Sequence, residues 1–277
     1  MDTGSGCGSL LATLLSALAV IVGALFFGIS SNSPVAVPPT PVVVEAPAAN
    51  IELVLSPAAS RELSADALQA TADIYRERLS ALGITTIEID ILDQRQVRVR
   101  LAVGDLNLDE SITPALTQIG FLEFVDFAGL SDDQVTALKD GTVQTTGQLE
   151  ALGQAIDPAG AVNPSSGAPF TTIATAADVA TATPNFGSDS GSFVMTLAMT
   201  EAGTEKLRAY TAANIGQTLA IVRDGKVNMA PRVMSEISSA VQISGTFSRD
   251  EALALAAQIR TRPLPSRMEV ASINVIR

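Results

Sequence analysis

The chain has 277 residues, no histidine, no tryptophan and a single cysteine. That composition excludes every nucleophile–base pair built on histidine and removes the usual ligands of metal sites, leaving only carboxylate- or lysine-based chemistry. Its 17 basic residues against 29 acidic ones leave a net charge of −12, which repels phosphate backbones and argues against nucleic acid as a partner.

Residues 1–9 are a short leader. Leu10–Ile29 reads LLATLLSALAVIVGALFFGI, twenty residues without a charge. At about 1.5 Å of rise per residue such a helix is roughly 30 Å long, the thickness of a bilayer core. A cleaved signal peptide would have a basic leader, a shorter apolar core and a small-residue cleavage site. No Lys or Arg precedes Arg61 and no strong A-x-A site follows, so an uncleaved membrane anchor is the better reading. The lack of basic residues also leaves the helix unoriented by charge. A short leader and a long folded region favour a carboxy terminus outside the cytoplasm. Cys7 has no partner for a disulfide and precedes the apolar run, the wrong side for a lipid-acceptor cysteine. Residues 30–50 carry five prolines and form an extended, semi-rigid spacer.

Residues 51–130 predict a βαββαβ unit of α+β class. Ile51–Leu55 is a strand. Ser64 caps the next helix, with Asp66 in its first turn. Leu68, Ala72, Tyr75, Leu79 and Leu82 share one face at helical spacing, and Gly83 closes it. Thr86–Leu92 and Gln96–Val103 alternate as strands around a tight turn. A short helix fits Leu108–Ile119, and Phe121–Phe127 is expected as the last strand. That order is the ferredoxin-like arrangement, an antiparallel sheet with helices on one face.

Residues 131–192 turn rich in Gly, Ala, Ser and Thr. A short helix from Ser131 to Leu138, a helix at Gly147–Ala155 and an extended piece at Phe170–Ile173 are expected within long, flexible loops.

Residues 193–265 predict a second α+β unit. Phe193–Met199 is a strand and Thr200 caps the helix Glu201–Ala213, whose inward face uses Leu207, Tyr210 and Ile215 beyond its end. Gly203 costs about 1 kcal/mol against alanine in a helix interior, which either a close backbone contact or simple indifference near a helix end would explain. Asp224-Gly225 between Thr218–Arg223 and Lys226–Pro231 is a strong hairpin signal, because both turn residues need positive φ. Val241–Phe247 is a strand. Ser248 and Glu251 then form a capping box, a better account of the Asp250–Glu251 pair than a catalytic dyad. Ala252, Leu255, Ala256 and Ile259 line that helix's buried face. Residues 266–277 are expected as a strand returning to the first unit's sheet.

Several stretches, in order and register, resemble the first extracytoplasmic domain of the SecD/SecDF protein-export family. They are TEAGTEKL (Thr200–Leu207), Asn214-Ile215-Gly216, LAIVRDGKV (Leu219–Val227), Ala230-Pro231, ISGTFS (Ile243–Ser248) and EALALA (Glu251–Ala256). Weaker echoes are IYRERLSALG (Ile74–Gly83), Ile119–Phe124 and Phe170–Ile173. The residues carrying the family motif are Thr200, Gly203, Asn214, Gly216, Asp224, Gly225, Pro231, Gly245 and Phe247, most of them structural. The resemblance implies a ferredoxin-like base, a head inserted after it, capture of emerging polypeptide by the head, and base–head rotation for release. Ala49-Asn50, Ser238-Ser239 and Arg262–Pro265 depart from the family pattern. The family continues into membrane helices that carry proton-conducting residues, so the resemblance implies a truncated, single-pass relative without its own proton channel.

The function expected is therefore not enzymatic, with no catalytic residue, cofactor or metal. It is a membrane-anchored module outside the cytoplasm that binds translocating or unfolded polypeptide, alongside the Sec translocon or other export subunits. The alternative is a structural or assembly protein of the cell envelope that binds a folded partner.

Overall fold

The computed structural model describes residues 50–58, 62–93, 95–187, 191–238 and 240–276. The anchor expected at Leu10–Ile29 and the spacer up to residue 49 lie outside these residues. Among the described residues, no helix is long and apolar enough to cross a membrane.

The first part of the chain forms β1 (Asn50–Pro57), α1 (Ala65–Ala81), β2 (Ile87–Leu92) and β3 (Gln96–Ala102). One wide turn at Leu108–Ile112 leads into α2 (Thr113–Thr117), and β4 (Leu122–Asp126) follows. The middle holds α3 (Asp132–Lys139), α4 (Thr146–Leu152), β5 (Thr172–Thr175) and β6 (Val179–Gly187). Then come β7 (Ser192–Met199), α5 (Glu201–Ala213), β8 (Leu219–Arg223) and β9 (Lys226–Met229). The chain closes with β10 (Val241–Phe247), α6 (Arg249–Ile259) and β11 (Met268–Ile276).

These strands build three antiparallel sheets. The first has the order β11-β1-β3-β2, the strand order of a split βαβ fold. Its buried face carries Leu53, Leu55, Val97, Val99 and Leu101, packed under Leu68, Tyr75 and Leu79 of α1. The second sheet, β5-β4-β8-β9, is packed on both faces. Leu122, Phe124, Leu219 and Ile221 point to one core, and Val125, Phe127, Ala220 and Val222 to another. Period-two alternation between two cores explains why β4 and β8 read as nearly continuous apolar runs. The third sheet, β10-β7-β6, has three strands.

Two expectations need correction. Phe121–Phe127 does not complete the first sheet, because β4 pairs with β5 and β8. The place beside β1 belongs to β11, pairing from Asn50↔Ile276 to Pro57↔Met268. An expected unit spanning 51–130 is therefore not self-contained. Residues 131–192 are also more than loops: they contain α3, α4, β5 and β6, and β6 pairs with β7 along its length. Its Ala- and Thr-rich sequence, VATATPNFG, concealed a border strand that buries little side-chain area.

α6 links the two larger cores. Ala252, Leu255, Ala256 and Ile259 belong to the core under the second and third sheets, whereas Ala257 belongs to the core of the first. Its alanines let the helix be buried on nearly every side without crowding. The capping box between Ser248 and Glu251 starts it. Asp250 accepts from the Asn107 amide at 2.6 Å and Ser248 donates to Glu110 at 2.8 Å, pinning the helix start to the turn before α2.

Candidate functional site

The motif residues of the second half sit where backbone meets backbone. Thr200 caps α5 by accepting from the Gly203 amide at 3.0 Å, and its own amide donates to the Asp178 carbonyl at 2.8 Å. A methyl group at Gly203 would overlap that same carbonyl oxygen, so of the two accounts of this glycine the close backbone contact is the one present. Lys206, one turn on, reaches the Asp178 carboxylate at 2.7 Å. Asn214 ends α5, its side chain donating to the Tyr210 carbonyl at 2.9 Å. Gly216 has φ +83° and donates to Val233 at 2.7 Å. The Pro231 carbonyl accepts from Leu219 at 3.1 Å.

Asp224 and Gly225 both have positive φ, 52° and 78°, as the hairpin turn between β8 and β9 requires. The structure adds a clasp. Asp224 accepts from the Phe121 amide at 2.8 Å, and its own amide returns a bond to the Phe121 carbonyl at 3.0 Å. Gly245 and Phe247 lie in β10, where Phe247 pairs with Phe193 of β7 beyond an irregularity in register. One expected inward residue points out: Ile215 is 61% exposed, because α5 ends at Ala213 and Asn214 turns the chain.

The third sheet offers surface that could hold an extended chain. β6 and β10 are its two border strands. Phe186 on β6 is 63% exposed, resting edge-on against Phe193 with ring centroids 5.5 Å apart. Met234, in the loop between β9 and β10, is 82% exposed. Border strands present unpaired backbone groups to an incoming chain. Exposed aromatic and methionine side chains accommodate varied apolar partners. Pro184 within β6 removes one backbone donor and limits how far pairing could run along that border.

Comparison with known proteins places this geometry. Residues 166–266 match the family described as SecDF, P1 head subdomain. SecD of Elusimicrobium minutum is 38% identical over 96 residues, 35% of this chain and 20% of that protein. SecDF of Thermus thermophilus is 29% identical over 223 residues, 76% of this chain and 28% of the relative. A solved structure described as a membrane component SecDF that enhances protein export covers 81% of this chain and all of its own, at 27% identity and a TM-score of 0.53. Residues 166–266 are therefore similar to the head subdomain of the SecD/SecDF family, and the likeness extends at lower identity over about three quarters of the chain. The chain spans 20% and 28% of the length of the two named relatives.

Two buried charged residues of this domain are not marked by any motif in the sequence. Arg78 is fully buried and holds both connections between the first sheet and the rest. Its guanidinium donates to the carbonyls of Ala115, Gln118 and Ile119 at 2.8, 2.7 and 2.6 Å on the outgoing connection. On the returning one it reaches Thr261 at 3.1 Å and the Arg262 carbonyl at 3.4 Å. Burial pushes its pKa down to about 10, and the Asp224 charge opposes that shift. Gly120 packs against it, where a side chain would strike the guanidinium. The signal was available: Arg78 lies three residues after Tyr75, on the apolar stripe of its helix.

Glu123 is the second. It is buried in β4 and accepts from Thr145 at 2.6 Å, Thr172 at 2.8 Å and Gln148 at 3.4 Å. Burial pushes its carboxyl up, against the three hydrogen bonds that favour the ionised form. Its donors come from residues 22 to 49 positions away, so no local spacing announced them.

Proposed function

We propose that this chain is a membrane-anchored SecD-type module that binds translocating or unfolded polypeptide outside the cytoplasm and so assists protein export. The observation that carries the reading is the β10-β7-β6 sheet within the matched head region, with two border strands and an exposed aromatic on one of them. Pairing to a strand border reads the backbone and is indifferent to the client's sequence, which is what a general export factor needs. Residues 10–29 would hold the module at the cytoplasmic membrane, beside the Sec translocon or other export subunits. The reading gives the described domain a gripping role and assigns ion conduction to none of its residues.

A photocrosslinking amino acid at Phe186 tests it in cells that export a stalled client. Crosslinks to the client should exceed those from the same probe at Glu88, on the first sheet's charged border. Equal yields at the two positions would refute the reading. A single folded partner crosslinked in fixed proportion, without the client, would favour an assembly role instead.

A further inference from the structure

In a chain with 29 acidic and 17 basic residues, most cations find a carboxylate. Among the described residues, six cations have no ion pair: Arg78, which is buried on backbone carbonyls, Arg260, and Lys139, Arg223, Lys226 and Arg267, and these last four line one cleft of about 670 Å³. The cleft lies between the first and second sheets. Thr113, Thr117 and Gln118 form one side, Val227 and Asn228 of β9 another, and Met268 to Val270 of β11 a third. Two carboxylates also line it. Asp224 is buried and occupied by the Phe121 amide, and Glu269 is exposed.

The placement of the cations is costly without a partner. Arg223 and Lys226 stand directly opposite one another across β8 and β9, an arrangement in which like charges repel. The cleft also meets two sheet borders, since β9 and β11 are the outer strands of their sheets. Thr142 bridges to β9 only at Lys226, leaving Val227 and Asn228 on the cleft wall. A volume of this size exceeds what one inorganic ion fills and is of the order that takes a multi-group ligand.

We infer that this cleft binds an acidic stretch of extended polypeptide, with the four cations reading its carboxylates and the strand borders lying along its backbone. The inference rests on the polypeptide-binding reading and adds a preference for acidic segments at a second place on the molecule.

The full chain in detergent micelles is titrated with dye-labelled, unstructured peptides of equal length, bearing Glu, Ser or Lys at alternate positions, and followed by fluorescence anisotropy. The Glu peptide should bind at least about fivefold more tightly than the Ser peptide at low salt, and the advantage should shrink as salt screens it. A Lys226→Gln/Arg267→Gln double variant should bring the Glu peptide to the level of the Ser peptide and leave the Ser peptide unchanged. Both side chains are exposed and free of ion pairs, so the fold should survive, as circular dichroism would verify. Equal binding of Glu and Ser peptides, or a preference that persists in the double variant, overturns the inference and leaves the general reading standing. Binding of no peptide at all overturns both. Phosphatidylglycerol vesicles bound through the same two residues, without discrimination among peptides, would assign the cleft to a lipid surface and overturn the inference.

Discussion

The first and third sheets solve the same problem in opposite ways. Each has one face on a core and two border strands. In the first, the outer face is a charge ladder: Arg98 meets Asp90 at 2.6 Å, and Arg100 meets Glu52 at 2.8 Å and Glu88 at 3.5 Å, in directly opposed cross-strand positions. Its border strand β2 carries Glu88 and Asp90 outward. Charged borders resist pairing with other chains. The third sheet carries Phe186 on its border, with Pro184 as the one visible restraint. The contrast lies between a β2 border guarded by charge and a β6 border that shows an aromatic ring, while β11, the other border of the first sheet, exposes Ile273, Val275 and Ile276 and lines the basic cleft.

Arg78 is where the two halves can be uncoupled, and its loss should have the largest effect. Arg78→Ala takes the guanidinium from the Ala115 and Gln118 carbonyls, leaves the Ile119 carbonyl with the Leu264 amide alone and opens a cavity, so unfolding free energy should fall by more than about 3 kcal/mol in a urea titration. A fall of less than about 1 kcal/mol would mean the guanidinium is not what joins the connections. Gly203→Ala tests the head alone. Its methyl has no room beside the Asp178 carbonyl, so a loss of about 2 kcal/mol is expected, concentrated in hydrogen exchange of α5 and β6.

Glu123 sharpens the comparison through pH. Its folded-state pKa is raised above the ordinary 4.5, so its stabilising contribution is complete below that value and is lost as pH rises through the folded-state value. Glu123→Gln lacks this loss. The stability difference should therefore move in the variant's favour between about pH 4 and about pH 8, measured by thermal unfolding. A constant difference across that range would show that Glu123 does not titrate abnormally. The smallest effect belongs to the ladder. The Arg98 guanidinium holds the Asp90 carboxyl below the usual carboxylate range, but both groups reach solvent. Asp90→Asn should barely move the unfolding midpoint, and less at high salt.

Much of the local architecture was legible in the sequence. Ser64, Thr200 and Ser248 cap the helices expected of them, and Asp224-Gly225 makes the expected turn. Caps and tight turns are governed by the next three or four residues, which a linear reading contains. Helix α1 was legible in its apolar stripe, although nothing in that stripe announced the partners of Arg78.

What the linear order settled, then, was where each element starts, stops and which of its faces avoids water. Which strand lies beside which was decided by tertiary structure. An apolar strand such as Phe121–Phe127 satisfies its backbone equally well in either sheet, and only the competing fit of β11, more than 140 residues away, excluded it from the first. The buried charges and the basic cleft arose in the same way. A side chain's partner is set by proximity in the folded body, and long-range proximity is not written in the spacing of neighbours along the chain.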